Sequence, residues 1–129
     1  MKKENMNWNE FEQKYAKKLN EQQKRAVQKV KGPVLLLAVP GSGKTTVLVT
    51  RLGYMALCCG IEPECILTMT YTVAATREMR ARFLAQFPEL EGHTPQFRTI
   101  NGLSAKIIEA YSRGRSTSFS LQENAAELA

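Results

Sequence analysis

Apolar positions along this chain switch between helical and strand-like spacing. Trp8, Phe11, Tyr15 and Leu19 recur at intervals of three and four, which predicts an amphipathic helix over residues 7–19. A second helix is predicted to open at Asn20, whose side chain can cap the first turn. It runs through Gln23, Ala26, Val27 and Val30 until Gly32-Pro33 stops it. Val34 to Val39 is an unbroken apolar run, read as a buried strand. Leu48, Leu52, Met55 and Cys59 then place an apolar stripe on a helix from about Lys44 to Cys59, ended by Gly60.

The second half repeats the alternation. Cys65 to Tyr71 reads as a strand with both faces buried. Met79, Phe83 and Phe87 mark a helix from Thr72 to about Phe87, closed by Pro88. Residues 91–95 form a loop, Gln96–Thr99 a short strand, and Asn101 begins a helix through Leu103, Ile107, Ile108 and Tyr111. Strands alternating with helices imply an α/β fold with parallel pairing and right-handed crossovers. Residues 113–118 read as a polar linker, and Ser120 to Glu123 as a capping box opening a helix that runs off the end of the chain. The expected organisation is a leading helix over 1–18, a core over 19–112, and a linker with the start of a truncated helix over 113–129. The chain is thus expected to be part of something longer.

Where the first apolar run ends, Pro40-Gly41-Ser42-Gly43-Lys44-Thr45-Thr46 forms a glycine-rich turn before a helix. Phosphate-binding loops are built this way. Glycine lets backbone N–H groups surround phosphate oxygens, and the helix that follows points its positive end at the anion. Lys44 would reach the β- and γ-phosphates of a nucleoside triphosphate, and the Thr45 hydroxyl would take a position on Mg²⁺. The general pattern asks for glycine at position 38, where this chain has Ala38. The alternative is a plain strand-to-helix turn in which Gly41 and Gly43 serve only backbone geometry.

Composition narrows the chemistry. The 129 residues fit one domain, and a net charge of +6 favours polyanionic partners, although a solvated surface would carry the same charge. Cys58, Cys59 and Cys65 are odd in number and lack Cys-x-x-Cys spacing, so neither a disulfide framework nor a zinc site is indicated. A soluble, cytoplasmic protein is expected, with no apolar stretch long enough for a membrane span. The one histidine, His93, falls in a Gly-His-Thr-Pro turn and reads as a loop residue. All twelve acidic residues are Glu. P-loop NTPases hold magnesium with an Asp at the end of a second strand as well as the loop hydroxyl, so poor hydrolysis is expected from these residues alone.

In order and spacing, several motifs resemble the N-terminal ATP-binding subdomain of superfamily 1 DNA helicases of the UvrD/Rep type, over residues 19–108. Leu19 to Val27 resembles that family's Q motif, which implies that Gln23 reads the adenine edge of ATP. Without the resemblance, Gln23 could simply complete a capping box with Asn20. Ala38 to Thr45 is similar to the family's Ala-Gly-x-Gly-Ser-Gly-Lys-Thr, with Val39 at a position often held by a small residue. Thr70 to Met79 resembles motif Ia, a contact to single-stranded DNA, with Val73-Ala74 replacing a polar Asn-Lys pair. Backbone amides, Thr70, Tyr71, Thr72 and Arg77 are left to hold the strand, while Arg77, Arg80 and Arg82 could equally form a solvated helix face. Thr99 to Leu103 is similar to motif Ib, although only Thr99 and Leu103 match fully; Asn101 retains a polar side chain.

The resemblance implies an incomplete P-loop NTPase (RecA-like) sheet flanked by helices, binding ATP and Mg²⁺ through Gln23 and residues 40–46. It further implies an intact ATP-dependent helicase or translocase whose remaining domains supply the missing Asp-Glu and arginine motifs. Two other classes remain open. A small P-loop phosphotransferase would need an acceptor pocket and a basic lid. A non-catalytic nucleotide- or DNA-binding module would account for the missing Asp.

Overall fold

The leading segment owes its position to aromatic side chains. In a computed structural model, which describes residues 4–115, Asn7 caps a short helix α1, Trp8–Phe11, through a bond from the Glu10 N–H. The chain then continues as a π-helical turn over Glu12–Ala16. Phe11 is fully buried, with ring centroids 5.1 Å from Tyr15, 5.6 Å from Tyr54 and 6.1 Å from Phe87. The expected helix over 7–19 is therefore helical only over residues 8–16, with Phe11 and Tyr15, four apart, on one cluster.

Helix α2, Glu21–Gln28, opens with a complete capping box. Asn20 Oδ1 accepts from the Gln23 N–H at 2.9 Å, and Gln23 Oε1 accepts from the Asn20 N–H at 2.9 Å. Lys24 and Glu12 form an ion pair at 2.6 Å that ties α2 to the leading segment, and this hydrogen bond raises the Lys24 pKa above its ordinary value. The helix ends at Gln28, before the predicted Gly32-Pro33 stop. There the Lys29 carbonyl accepts two bonds from the Arg51 guanidinium, at 3.2 and 2.8 Å.

Residues 34–39, predicted to be a buried strand, form neither helix nor sheet. Nor is the run buried on both faces. Leu36 and Ala38 are half-buried, whereas Leu35 and Leu37 are each 82% exposed. A ladder needs a neighbouring strand to satisfy its N–H and C=O groups. Among the described residues, the sheet consists of β1, Leu67–Thr70, and β2, Gln96–Thr99, paired in parallel. The predicted parallel pairing is thus found, in a smaller α/β sheet than the alternation suggested.

Helix α3, Lys44–Leu57, packs on α2, on α4, Val73–Gln86, and on the core. Its buried face is not the predicted Leu48-Leu52-Met55-Cys59 stripe. Leu52 is buried, but Leu48 and Cys59 are exposed, and Val47, Val49, Thr50 and Gly53 are buried instead. Phe87 reaches this face opposite Gly53.

Thr72 caps α4 through a bond from the Ala75 N–H at 3.1 Å. Met79, Phe83 and Phe87 are buried as their spacing predicts, and a single 3₁₀ turn, Pro88–Leu90, follows. β1 departs from expectation because it is covered on one side only. Met69 and Leu67 are about half exposed, whereas Ile66 just before it is buried. Helix α5, Ile100–Arg115, begins one residue earlier than predicted, where the Thr99 hydroxyl accepts from the Gly102 N–H at 2.9 Å. It also continues through the start of the predicted linker at residues 113–115. Its apolar stripe, Ile107, Ile108 and Tyr111, is exposed. The predicted capping box at Ser120 to Glu123 lies outside the described residues.

Candidate functional site

The glycine-rich turn adopts the backbone that its sequence requires. Gly41 and Gly43 both have φ of 79°, in the left-handed region that side chains disfavour, and the Ser42 N–H bonds the Val39 carbonyl at 3.2 Å. Gly43 is the N-cap of α3, and no side chain caps this end. The first turn of a helix leaves its N–H groups without intrahelical partners, so this end presents free donors and the positive end of the helix dipole.

Beside the turn lies a cavity of about 310 Å³, lined in part by Gln23, Leu36, Ala38, Ser42 and Lys44. Gln23 Nε2 donates to the Ser42 carbonyl at 3.0 Å, joining α2 to the turn across 19 residues of sequence. The Ser42 hydroxyl oxygen is buried and makes no hydrogen bond among the described residues. Buried polar atoms are normally partnered. An unpartnered hydroxyl, an uncapped helix start and two left-handed glycines within one turn suit an anionic group rich in acceptor oxygens.

The site residues predicted for the nucleotide therefore come together in part. Gln23, Ser42 and Lys44 line the cavity. Pro40, Gly41, Gly43, Thr45 and Thr46 complete the turn and the first turn of α3, with Thr45 half-buried and Lys44 exposed. Asn20 and Gln22 also line the cavity and had not been assigned to it. Their place within the Gln23 motif was the available signal.

The residues predicted for nucleic acid form a second group. Thr70 and Thr99 are register partners at the C-terminal ends of β1 and β2, so Tyr71-Thr72 and Ile100-Asn101 leave the sheet along the same edge. Ligands of open parallel sheets commonly bind beyond this end of the strands. The Thr70 hydroxyl lies 2.6 Å from the Thr76 hydroxyl and donates to the Thr72 carbonyl at 3.0 Å. Thr72 and Thr99 cap helices through their side-chain oxygens. Tyr71 is 89% exposed, and Arg77 and Asn101 are exposed. Arg82 pairs with Glu78 at 2.7 Å, and Arg80 lies over the Phe97 ring, 5.9 Å from its centroid. Of these three arginines, Arg77 is the one without a described ion pair or ring contact.

The thiols and the histidine stand apart from both groups. Cys58, Cys59 and Cys65 are free, and no cluster of three or more metal-ligating side chains occurs among the described residues. His93 Nδ1 lies 2.8 Å from Glu64 Oε1 in the predicted loop. No helix among the described residues is long and apolar enough to cross a membrane.

Comparison with known proteins adds a family to this geometry. Residues 19–126 match the family described as UvrD/REP helicase N-terminal domain. A Buchnera aphidicola (subsp. Baizongia pistaciae) protein named ATP-dependent DNA helicase Rep is 34% identical over 91 residues, covering 70% of this chain and 14% of that protein. A Leuconostoc citreum protein named ATP-dependent DNA helicase PcrA is 37% identical over 90 residues, covering 70% and 12%. Escherichia coli ATP-dependent DNA helicase Rep is 34% identical over 114 residues, covering 87% and 17%. The chain spans between about an eighth and a sixth of the length of these relatives. On the match across residues 19–126, this chain belongs to the UvrD/REP helicase N-terminal domain family.

Proposed function

We propose that this chain binds ATP with Mg²⁺ and contacts single-stranded DNA, as the N-terminal part of the P-loop (RecA-like) motor domain of an ATP-dependent DNA helicase or translocase. The observation that carries the reading is the cavity shared by Gln23, Ser42 and Lys44 at the uncapped start of α3. Lys44 would hold the β- and γ-phosphates, the Thr45 hydroxyl Mg²⁺, the amides from Gly41 to Thr46 the remaining oxygens, and Gln23 the adenine. Magnesium supplies charge neutralisation at the phosphates when bound. Thr70, Tyr71, Thr72, Arg77, Thr99 and Asn101, gathered at the strand ends, would hold the DNA strand, with Tyr71 offering a ring for a base to stack on. The names of the relatives support the helicase class.

In the intact protein, ATP would lie between this domain and a second one, and closure followed by opening would move the protein along the strand. Titration of the full chain with a fluorescent ATP analogue and Mg²⁺ tests the binding step. Lys44→Ala is expected to weaken binding by about tenfold or more, the loss of a charge-assisted phosphate contact. Equal affinity in the two proteins would overturn the assignment.

A further inference from the structure

The Gln23 side chain does more in this structure than complete a cap. An amide side chain has two N–H donors and two acceptor lone pairs. One acceptor is taken by the Asn20 N–H at 2.9 Å, and one donor is given to the Ser42 carbonyl at 3.0 Å. Both bonds are made to the chain's own backbone and fix the side chain at two points. One N–H and one lone pair remain.

The Ser42 carbonyl belongs to the same peptide group as the Gly43 N–H. That peptide is planar and trans, so its C=O and N–H bonds point in opposite directions. Holding the Ser42 oxygen toward Gln23 therefore turns the Gly43 N–H away from Gln23. The alternative orientation of this peptide would place a carbonyl where the loop needs a donor. Gly43 has φ of 79° and no side chain of its own to resist such a flip. A Cβ at this position would stand 3.4 Å from Gln23 Nε2, in ordinary van der Waals contact.

From this geometry we infer that Gln23 is a positioning residue for the phosphate-binding loop: it fixes the orientation of the Ser42–Gly43 peptide and hence the direction of the Gly43 N–H. The unused N–H and lone pair of the same amide are left to read a base, so base recognition and the grip on phosphate act through one side chain. The inference deepens the proposed nucleotide site and rests on that reading for its ligand, while the peptide orientation itself can be measured without ligand.

The test uses the full chain and two variants, Gln23→Ala, which removes both bonds, and Gln23→Glu, which keeps the acceptor for the Asn20 N–H but cannot donate to Ser42. Inorganic tripolyphosphate with Mg²⁺, which has no base, is the probe for the loop, and ATP is the comparison. Tripolyphosphate affinity is expected to fall by about fivefold or more in both variants, the size of one lost hydrogen bond. Amide hydrogen exchange at Gly43 and Lys44, measured without ligand, is expected to quicken while the core amides of Val49 and Leu52 stay unchanged. Unchanged tripolyphosphate affinity with ATP alone weakened would overturn the inference and leave Gln23 a reader of the base. If the unsubstituted chain binds neither ligand, the nucleotide reading falls. Exchange then decides the bridge: faster exchange at Gly43 in both variants supports it, and unchanged exchange overturns it.

Discussion

The ring of Phe87 fills the space in front of Gly53 in the middle of α3, so that a Cβ built on Gly53 would collide with three ring carbons. Glycine within a helix costs about 1 kcal/mol relative to alanine, yet here it admits a fully buried aromatic side chain. Gly53→Ala is expected to destabilise the chain by about 1–2 kcal/mol, because overpacking outweighs the gain in helix propensity. Denaturant unfolding of Gly53→Ala, Phe87→Ala and the double variant measures this. The collision disappears when the ring is removed, so the double variant is expected to be more stable than the sum of the single changes allows. Strict additivity would contradict this packing.

Gln86 links three elements from the interior side of α4. Its Nε2 donates to the Tyr15 carbonyl at 3.2 Å and to the Thr50 hydroxyl at 3.1 Å, and Thr50 is fully buried. Gln86→Ala is expected to cost about 1–3 kcal/mol, because it leaves buried polar groups unpaired. The Tyr15 hydroxyl, by contrast, is buried without a partner among the described residues. Tyr15→Phe is therefore expected to leave stability unchanged or to raise it by up to about 1 kcal/mol. Thermal melts of both variants check the contrast, and a large loss in Tyr15→Phe would show that the hydroxyl has a partner.

A pH effect is expected around Glu64. Its carboxyl is held below the ordinary carboxylate pKa, chiefly by a backbone hydrogen bond within Glu64 and then by His93. A lowered folded-state pKa contributes stability that is present above the unfolded value and is lost as pH falls through the folded value. Stability is accordingly expected to decline on acidification below the usual carboxylate range. Following the Glu64 carboxyl by NMR, His93→Ala is expected to move its midpoint upward. An unmoved midpoint would mean that the 2.8 Å contact is not formed in solution.

The three thiols are expected to differ in reactivity. Partial burial pushes the Cys58 thiol up to about 11, so only about one in a thousand is thiolate at pH 8. Cys59 and Cys65 are exposed. Alkylation at pH 8, read by peptide mass mapping, is expected to label Cys59 and Cys65 before Cys58.

How far the chain could be read in advance depended on where each periodic signal met its partner. The Met79-Phe83-Phe87 spacing was legible because all three residues are apolar and all three are buried. The face of α3 was not, since two of its buried positions are Gly53 and Thr50, which carry no hydrophobic signal. An isolated glycine inside a helical pattern was the available clue to a close approach. The predicted buried strand over 34–39 had the apolar run but no described neighbour to pair with. Within the site, Gln23 and the glycine-rich turn were readable as motifs. The bond from Gln23 to the Ser42 carbonyl was not, because nothing in a sequence specifies a side chain's partner 19 residues away.

The most direct measurement is an NMR amide map of the full chain titrated with Mg²⁺-ATP. Nucleotide binding at this site is expected to shift the backbone amides from Gly41 to Thr46 and the side-chain amide of Gln23, saturably and without comparable change at Thr70 or Thr99. Unshifted loop amides at millimolar ATP, or saturable shifts confined to residues far from the turn, would contradict a nucleotide site built on Gln23 and Lys44.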